Sequence, residues 1–375
     1  MDNHEIALAE FKKMQEKSLN RKDFLSAGVS PINLSLTGDP NKGFCKGHIY
    51  RFMGRPSSGK TFIAHTILAC AASNPEYSKH QLIYDDVELG ALMNVRKFFG
   101  EQLAKRLVAP AYDANKRPIY SRYLSDFYRR LLLRLNANKP VVWVEDSMDS
   151  LQPPVISTDK SGKVKTAATK MGDGKAKYNS QFLPKVLDKT ESTQSIIILL
   201  HQVRSGMGQS WGDDEVVSGG IAPEHYSTVD IHLKRLSKIT KTVKGKPYTV
   251  GSRVQATIRK NRVSGVDRSC EYIFLYDYGI DDISTCIYYL LSTKHWKEHE
   301  KKSDAVVEDE EYTFEGSRRL PKNVIAPEFD YRGTVEGLIA KVEEEGLYHK
   351  LQSLMAKVWK EIEDSLKTKR EPRFF

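Results

Sequence analysis

The run Gly54, Arg55, Pro56, Ser57, Ser58, Gly59, Lys60, Thr61 decides how this chain is read. It fits the pattern GxxxxGK(S/T) and stands where that pattern carries meaning, behind the apolar residues 48–53 and ahead of the apolar stretch 62–72. In that setting the glycines let backbone N–H groups converge on phosphate oxygens at the positive end of a helix. Arg55, Pro56, Ser57 and Ser58 line the loop, the Lys60 ammonium neutralises β and γ phosphates, and the Thr61 hydroxyl ligates Mg²⁺. The loop is read as binding a nucleoside triphosphate, and the strand–loop–helix around it predicts an α/β fold.

Working outward, short apolar runs at 48–53, 81–85, 141–145 and 195–201 alternate with helical patterns at 59–72, 92–99, 121–136 and 179–189. This alternation predicts a mostly parallel, twisted sheet flanked by helices. Beyond Gly220, strands at 228–236, 248–260 and 270–276 follow one another without helices between them, which predicts an antiparallel extension of the same sheet. Residues 5–19 place Ile6, Leu8, Phe11 and Met14 near helical spacing, as a helix packing on its own domain or on a neighbouring subunit would. After the acidic residues 307–311 a helical tail is expected over 334–367, ending in basic residues. The expected organisation is an oligomerisation segment at 1–30, a nucleotide-binding core at 31–300 and a small helical region with a basic tail at 301–375.

Hydrolysis of a bound triphosphate needs carboxylates at strand ends. Residues 141–144 are apolar and end in Glu145 and Asp146, either of which could order the water shell of Mg²⁺ beside the loop. A second strand ends in Asp85, Asp86 and Glu88, three candidates for the group that orients the attacking water. The apolar run at 196–200 ends in His201, Gln202, Val203 and Arg204, a position suited to sensing the γ-phosphate.

Two segments leave this sheet and read as mobile from composition. Residues 155–177 carry Lys160, Lys163, Lys165, Lys170, Lys175 and Lys177 among glycines, serines and threonines. Residues 205–220 are glycine-rich, end in Gly219 and Gly220, and hold Trp211. Each has an ordinary explanation, a solvated linker or a buried anchor. Together, one basic and one aromatic, they suit a site that tracks a nucleic-acid backbone and stacks bases.

Composition sets the outer limits. Lysine and arginine total 58 against 48 acidic residues, a formal charge of +10 that favours polyanionic partners. Cys45, Cys70, Cys270 and Cys286 form no CxxC pair, which fits a reducing compartment, and Cys70 reads as a small core residue. Residues 1–13 are polar and charged, unlike a secretory signal, and no apolar stretch approaches membrane-spanning length. The expectation is a soluble cytoplasmic protein with no membrane partner.

Over residues 23–296 these landmarks, in this order, resemble the RecA-type recombinases, most of all the UvsX-like members found in phages. Residues 54–61 resemble the family's Walker A loop. Asp146 and Ser147, running into Leu151, Gln152 and Pro153, resemble its Walker B strand and the start of its first DNA-binding loop. The resemblance implies a RecA-like core with DNA-binding loops at about 153–178 and 203–220. It singles out Asp146 for Mg²⁺, Glu88 as the water-activating residue and Gln202 as the γ-phosphate sensor, with Lys60 completing the catalytic set. Lys260 and Arg262 fall on cations that reach the neighbouring subunit's ATP, and Tyr276 on an aromatic that packs against the base. Lys163, Lys165, Lys170, Lys175, Arg204, Trp211, Gly219 and Gly220 fall in or beside the DNA-binding loops.

The implied activity is DNA-dependent hydrolysis of ATP with Mg²⁺ by a helical homo-oligomeric filament on single-stranded DNA. That filament pairs its strand with a homologous duplex, in company with a single-strand-binding protein and a mediator, in the bacterial host cytoplasm if the gene is a phage's. The chain departs from bacterial members at Glu224 and His225, where they carry a basic–aromatic pair. Phe24 and Ala27 fit the FxxA tether of archaeal and eukaryotic recombinases, but four residues weigh little against the ordinary reading, a buried Phe beside a helix end. A regulatory or adaptor ATPase and a hexameric helicase-like motor share the loop. No ring-forming N-terminal domain is visible to favour the helicase.

Overall fold

The computed structural model describes residues 23–158, 164–166, 174–205, 215–217, 220–298, 312–314 and 322–370. The helix expected over 5–19 lies outside them. A short pair, β1 (Phe24–Leu25) and β2 (Phe44–Cys45), brackets helix α1 (Ser30–Thr37) and leads into β3 (His48–Gly54). Phe24 and Ala27 are buried in this chain's own core, in keeping with the reading of a buried Phe beside a helix end. After β3 come α2 (Lys60–Ser73), β4 (Gln81–Asp86), α3 (Val95–Arg106), the exposed hairpin β5 (Ala111–Tyr112) and β6 (Pro118–Ile119), α4 (Leu124–Asn136) and β7 (Val141–Asp146). The basic segment, expected as one loop, contains strands β8 (Val155–Thr158) and β9 (Val164–Thr166) and gives way at Gly174 to helix α5 (Lys175–Ser192). Next are β10 (Ile196–Ser205), β11 (Glu215–Val217), α6 (Ala222–Tyr226), β12 (Val229–Val243), β13 (Lys246–Asn261), β14 (Ser269–Leu275) and β15 (Gly279–Asp281).

The main sheet runs β15-β14-β13-β12-β3-β10-β7-β4, with β11 on β10 and a later strand on β12. The five strands from β12 to β4 are parallel, and β13 to β15 extend them antiparallel, as the pattern of runs predicted. Helices cover both faces, so the central strands are apolar without a break. On β10, Ile196, Ile198 and Leu200 face α2, while Ile197 and Leu199 face α4 and α5. This puts β3 in the middle of the sheet and its C-terminal loop at the rim where β4, β7 and β10 also end.

The remaining elements are α7 (Asp282–Ser292), β16 (Lys297–Glu298), β17 (Tyr312–Phe314), β18 (Asn323–Ala326), β19 (Tyr331–Thr334), α8 (Val335–Glu344) and α9 (Tyr348–Leu366). The single helical tail expected over 334–367 is two helices, broken at Gly346, whose φ of 65° ends the first. They close a third apolar cluster around Ile287, Leu290, Trp296, Leu338 and Met355. One polar knot ties this cluster to the core. The buried Asp282 carboxylate accepts from Ser30 N–H at 2.7 Å, Ser30 Oγ at 2.5 Å and Tyr348 Oη at 2.6 Å. Among the described residues no helix is long and apolar enough to cross a membrane.

Candidate nucleotide-binding site

The loop after β3 has the shape that its glycines allow. A Cβ on Gly54 would meet the Leu233 carbonyl oxygen at 2.5 Å and Ser58 Oγ at 2.6 Å, so only glycine fits against β12 there. Gly59 turns the chain into α2 with φ of 93°. Arg55, Pro56 and Ser57 are exposed on the loop, and Ser58 is buried in it. Lys60 is only 8% exposed, and its ammonium folds back on the carbonyls of Gly54 at 2.7 Å and Arg55 at 3.0 Å. Burial pushes this ammonium below its usual value, against the pull of Asp146, Glu88 and Asp149. A charged donor on a rim of N–H groups is an arrangement into which triphosphate oxygens fit.

The acids sort themselves by strand alternation and register. Asp146 pairs with Asp86 across β7 and β4, and its Oδ2 accepts from Thr61 Oγ1 at 2.7 Å and from Tyr84 Oη at 2.5 Å. Burial raises the Asp146 carboxyl, while those two hydrogen bonds lower it and Glu88 and Asp86 raise it further. Glu145 points to the other face, where it accepts from Trp143 Nε1 at 2.8 Å. Asp85 is sequestered by Ser121 and Arg130, and Asp86 accepts from the N–H groups of Gly90 and Ala91, closing the turn after β4. Glu88 alone of those three reaches across the rim. Its Oε1 accepts from Ser147 Oγ at 2.6 Å, Ser150 Oγ at 2.8 Å and Gln202 Nε2 at 2.7 Å. Gln202 is further anchored by its N–H on Asp149 Oδ2 at 2.7 Å.

Thus Lys60, Thr61, Asp146, Glu88 and Gln202 stand at one rim of one sheet. Lys260 and Arg262 lie elsewhere, at the end of β13. Lys260 Nζ rests on the carbonyls of Glu224 and His225, the second at 3.4 Å, and Arg262 is exposed. Beside them Arg51 on β3 makes a two-pronged, buried ion pair with Asp230 on β12, at 2.8 and 2.6 Å, with Glu224 Oε2 at 3.7 Å. Tyr276 is 44% exposed and packs edge-on against Phe274.

The nucleic-acid candidates fare unevenly. Lys175 is buried at the start of α5 with Nζ on the Asp149 carbonyl at 3.0 Å. Gly220 is needed where it stands, since φ is 78° and a Cβ would meet Ala176 Cβ at 2.6 Å. Lys163, Lys170, Trp211 and Gly219 lie outside the described residues. Lys165 and Arg204 belong to β9 and β10, and nothing is described of their side chains. Two hydroxyls at the rim, Tyr84 and Ser150, were not singled out from sequence. The signal for Tyr84 was its place two residues before Asp86, on the same face of β4.

Comparison with known proteins bears on these residues. The model of the RecA N-terminal domain family matches residues 137–281, a stretch holding Asp146, Gln202, Lys260 and Arg262. The protein RecA of Chlamydia trachomatis serovar D is 25% identical over 245 residues, 65% of this chain and 63% of that protein. The protein RecA of Syntrophobacter fumaroxidans is 25% identical over 260 residues, 68% of this chain and 67% of that one. That of Clostridium tetani is 25% identical over 272 residues, with 72% and 69% covered. The alignment with the chlamydial proteins therefore spans less than two thirds of their length. A parallel sheet with an antiparallel extension and a phosphate-type loop at its centre accompany these matches: the chain is similar to RecA proteins, and its residues 137–281 match the RecA N-terminal domain.

Proposed function

We propose that this chain is a DNA-dependent ATPase that polymerises on single-stranded DNA and exchanges its strand with a homologous duplex. The observation that carries the reading is the meeting of Lys60, Thr61, Asp146, Glu88 and Gln202 at the rim shared by β3, β4, β7 and β10. Relatives named protein RecA support it. The residues present fit ATP with Mg²⁺: Gly54 and Gly59 let the loop turn tightly into α2, and Thr61 and Asp146 offer oxygens for the metal's shell. Bound ATP supplies the phosphoanhydride whose hydrolysis resets the polymer. Lys60 offsets charge on the phosphates, Glu88 orients a water and accepts its proton, and Gln202 donates its amide N–H toward the terminal phosphate.

The polymer would complete the site. Lys260 and Arg262 would reach across a subunit boundary to the neighbour's nucleotide, with Tyr276 against the base. Lys163, Lys165, Lys170, Arg204, Trp211 and the Gly219–Gly220 pair would contact the DNA strand between β7 and α5 and after β10.

Strand exchange between circular single-stranded and linear duplex DNA tests the proposal, with electron microscopy of protein, DNA and an ATP analogue beside it. Joint molecules and helical filaments are expected. DNA-stimulated hydrolysis without joint molecules would point to a motor or an adaptor ATPase instead.

A further inference from the structure

Strand alternation puts Leu82 and Tyr84 of β4 on the face that packs against α2. An apolar ring would fill the Tyr84 position as well as a phenol does. The Tyr84 ring packs on His65, centroid to centroid 4.1 Å, and His65 stacks in turn on Phe99 at 5.2 Å. The hydroxyl is the part that packing does not explain. It donates to Asp146 Oδ2 at 2.5 Å, the same oxygen that accepts from Thr61 Oγ1 at 2.7 Å. His65 closes the circle, because its Nδ1 stands 2.9 Å from the Thr61 carbonyl oxygen and can face it only as a donor. Thr61, His65, Tyr84 and Asp146 thus hold one another across α2, β4 and β7. Two donors fill the lone pairs of Oδ2, which fixes the carboxylate and leaves Oδ1 to order water around a metal ion.

We propose that Tyr84 is a positioning residue for Mg²⁺: its hydroxyl orients Asp146 beside Thr61 and so sets how tightly the metal is held with the triphosphate. This rests on the reading of residues 54–61 as an ATP site. Tyr84 acts through Asp146 rather than on the phosphates, in the way that outer hydrogen-bond partners orient the ligands of a metal. The ring packing on His65 keeps the phenol in place, so the hydroxyl can be removed without disturbing the strand or the helix.

The test is equilibrium binding of a fluorescent ATP analogue to the full chain, titrated with Mg²⁺ and repeated in EDTA, for wild type and Tyr84→Phe. The variant keeps the ring and loses only the hydroxyl. Its half-saturating Mg²⁺ concentration should rise about 10-fold, the common cost of losing an outer partner of a metal ligand. Its affinity for the analogue in EDTA should match that of wild type, which also reports that the variant is folded. An unchanged Mg²⁺ midpoint overturns the proposal. So does an equal loss of affinity with and without the metal, which would make the hydroxyl a support of the loop. A wild-type chain that binds no analogue at any Mg²⁺ concentration overturns the ATP site itself, and this proposal with it.

Discussion

At Gly54 the chain has no room for a methyl group, because the obstacle is the backbone carbonyl of Leu233, fixed in β12. Gly54→Ala is therefore expected to push the loop out of register and abolish ATP binding. It should also lower stability by about 1–3 kcal/mol, the usual cost of overpacking. Equilibrium binding of a fluorescent ATP analogue and urea unfolding measure the two effects, and a variant that binds normally would show that the loop tolerates the shift. Trp211 belongs to the same scale. If it stacks on a base, Trp211→Ala weakens single-strand binding by about 1–3 kcal/mol. Unchanged affinity, with indole fluorescence indifferent to DNA, would make Trp211 structural.

At the scale of elements, the Asp282 knot decides how firmly α7 and α9 hold α1. Burial pushes the Asp282 carboxyl above its ordinary range, against the hydrogen bonds from Ser30 and Tyr348. A carboxyl of raised pKa holds its proton more tightly in the fold than in the unfolded chain. Its contribution is thus fully present below the unfolded value of about 3.9 and is lost as pH rises through the folded value. Asp282→Asn keeps a neutral acceptor for Ser30 N–H and removes that slope. The stability of the variant relative to wild type should increase between pH 4 and 7. Urea midpoints across that range measure it, and parallel curves for the two chains would count against the knot as the titrating element.

This scale also shows what was legible in the sequence. The strands β3, β4 and β7 were read almost to the residue, because their apolar runs are bounded by turns and acids. The choice among Asp85, Asp86 and Glu88 was not legible from the residues themselves. It depends on which face of β4 each side chain takes and on partners as remote as Ser121 and Gln202. Helix α3 begins at Val95 rather than near residue 92, since Asn94 caps it by accepting from Lys97 N–H at 3.0 Å. The hairpin of β12 and β13 runs longer than its apolar pattern. Lys244 and Gly245, both at positive φ, make the two-residue turn at its tip. Lysine-rich composition hid the start of α5, where Gly174 in the left-handed region breaks the preceding segment.

At the scale of the whole molecule, the nucleotide rim and the cations of β13 belong to different parts of one chain. If the polymer brings them together, Lys260 has to leave the Glu224 and His225 carbonyls that hold it here. Lys260→Ala with Arg262→Ala should then leave ATP affinity within about twofold of wild type, and DNA-stimulated hydrolysis should fall by about 10³-fold, as loss of a trans cation does in related phosphoryl transfer. Equal losses of binding and turnover would place these cations in the subunit's own pocket.

The ion pair of Arg51 with Asp230 carries one more consequence, for folding. Its partners are 179 residues apart in the chain, and β3 is flanked only by β10 and β12, both encoded far downstream. During synthesis the loop-bearing strand therefore emerges long before either of its neighbours exists. Closing such long loops is entropically slow, so the nucleotide rim is expected to be among the last parts of the molecule to take shape. A ribosome-stalled chain ending before residue 229 should lack it.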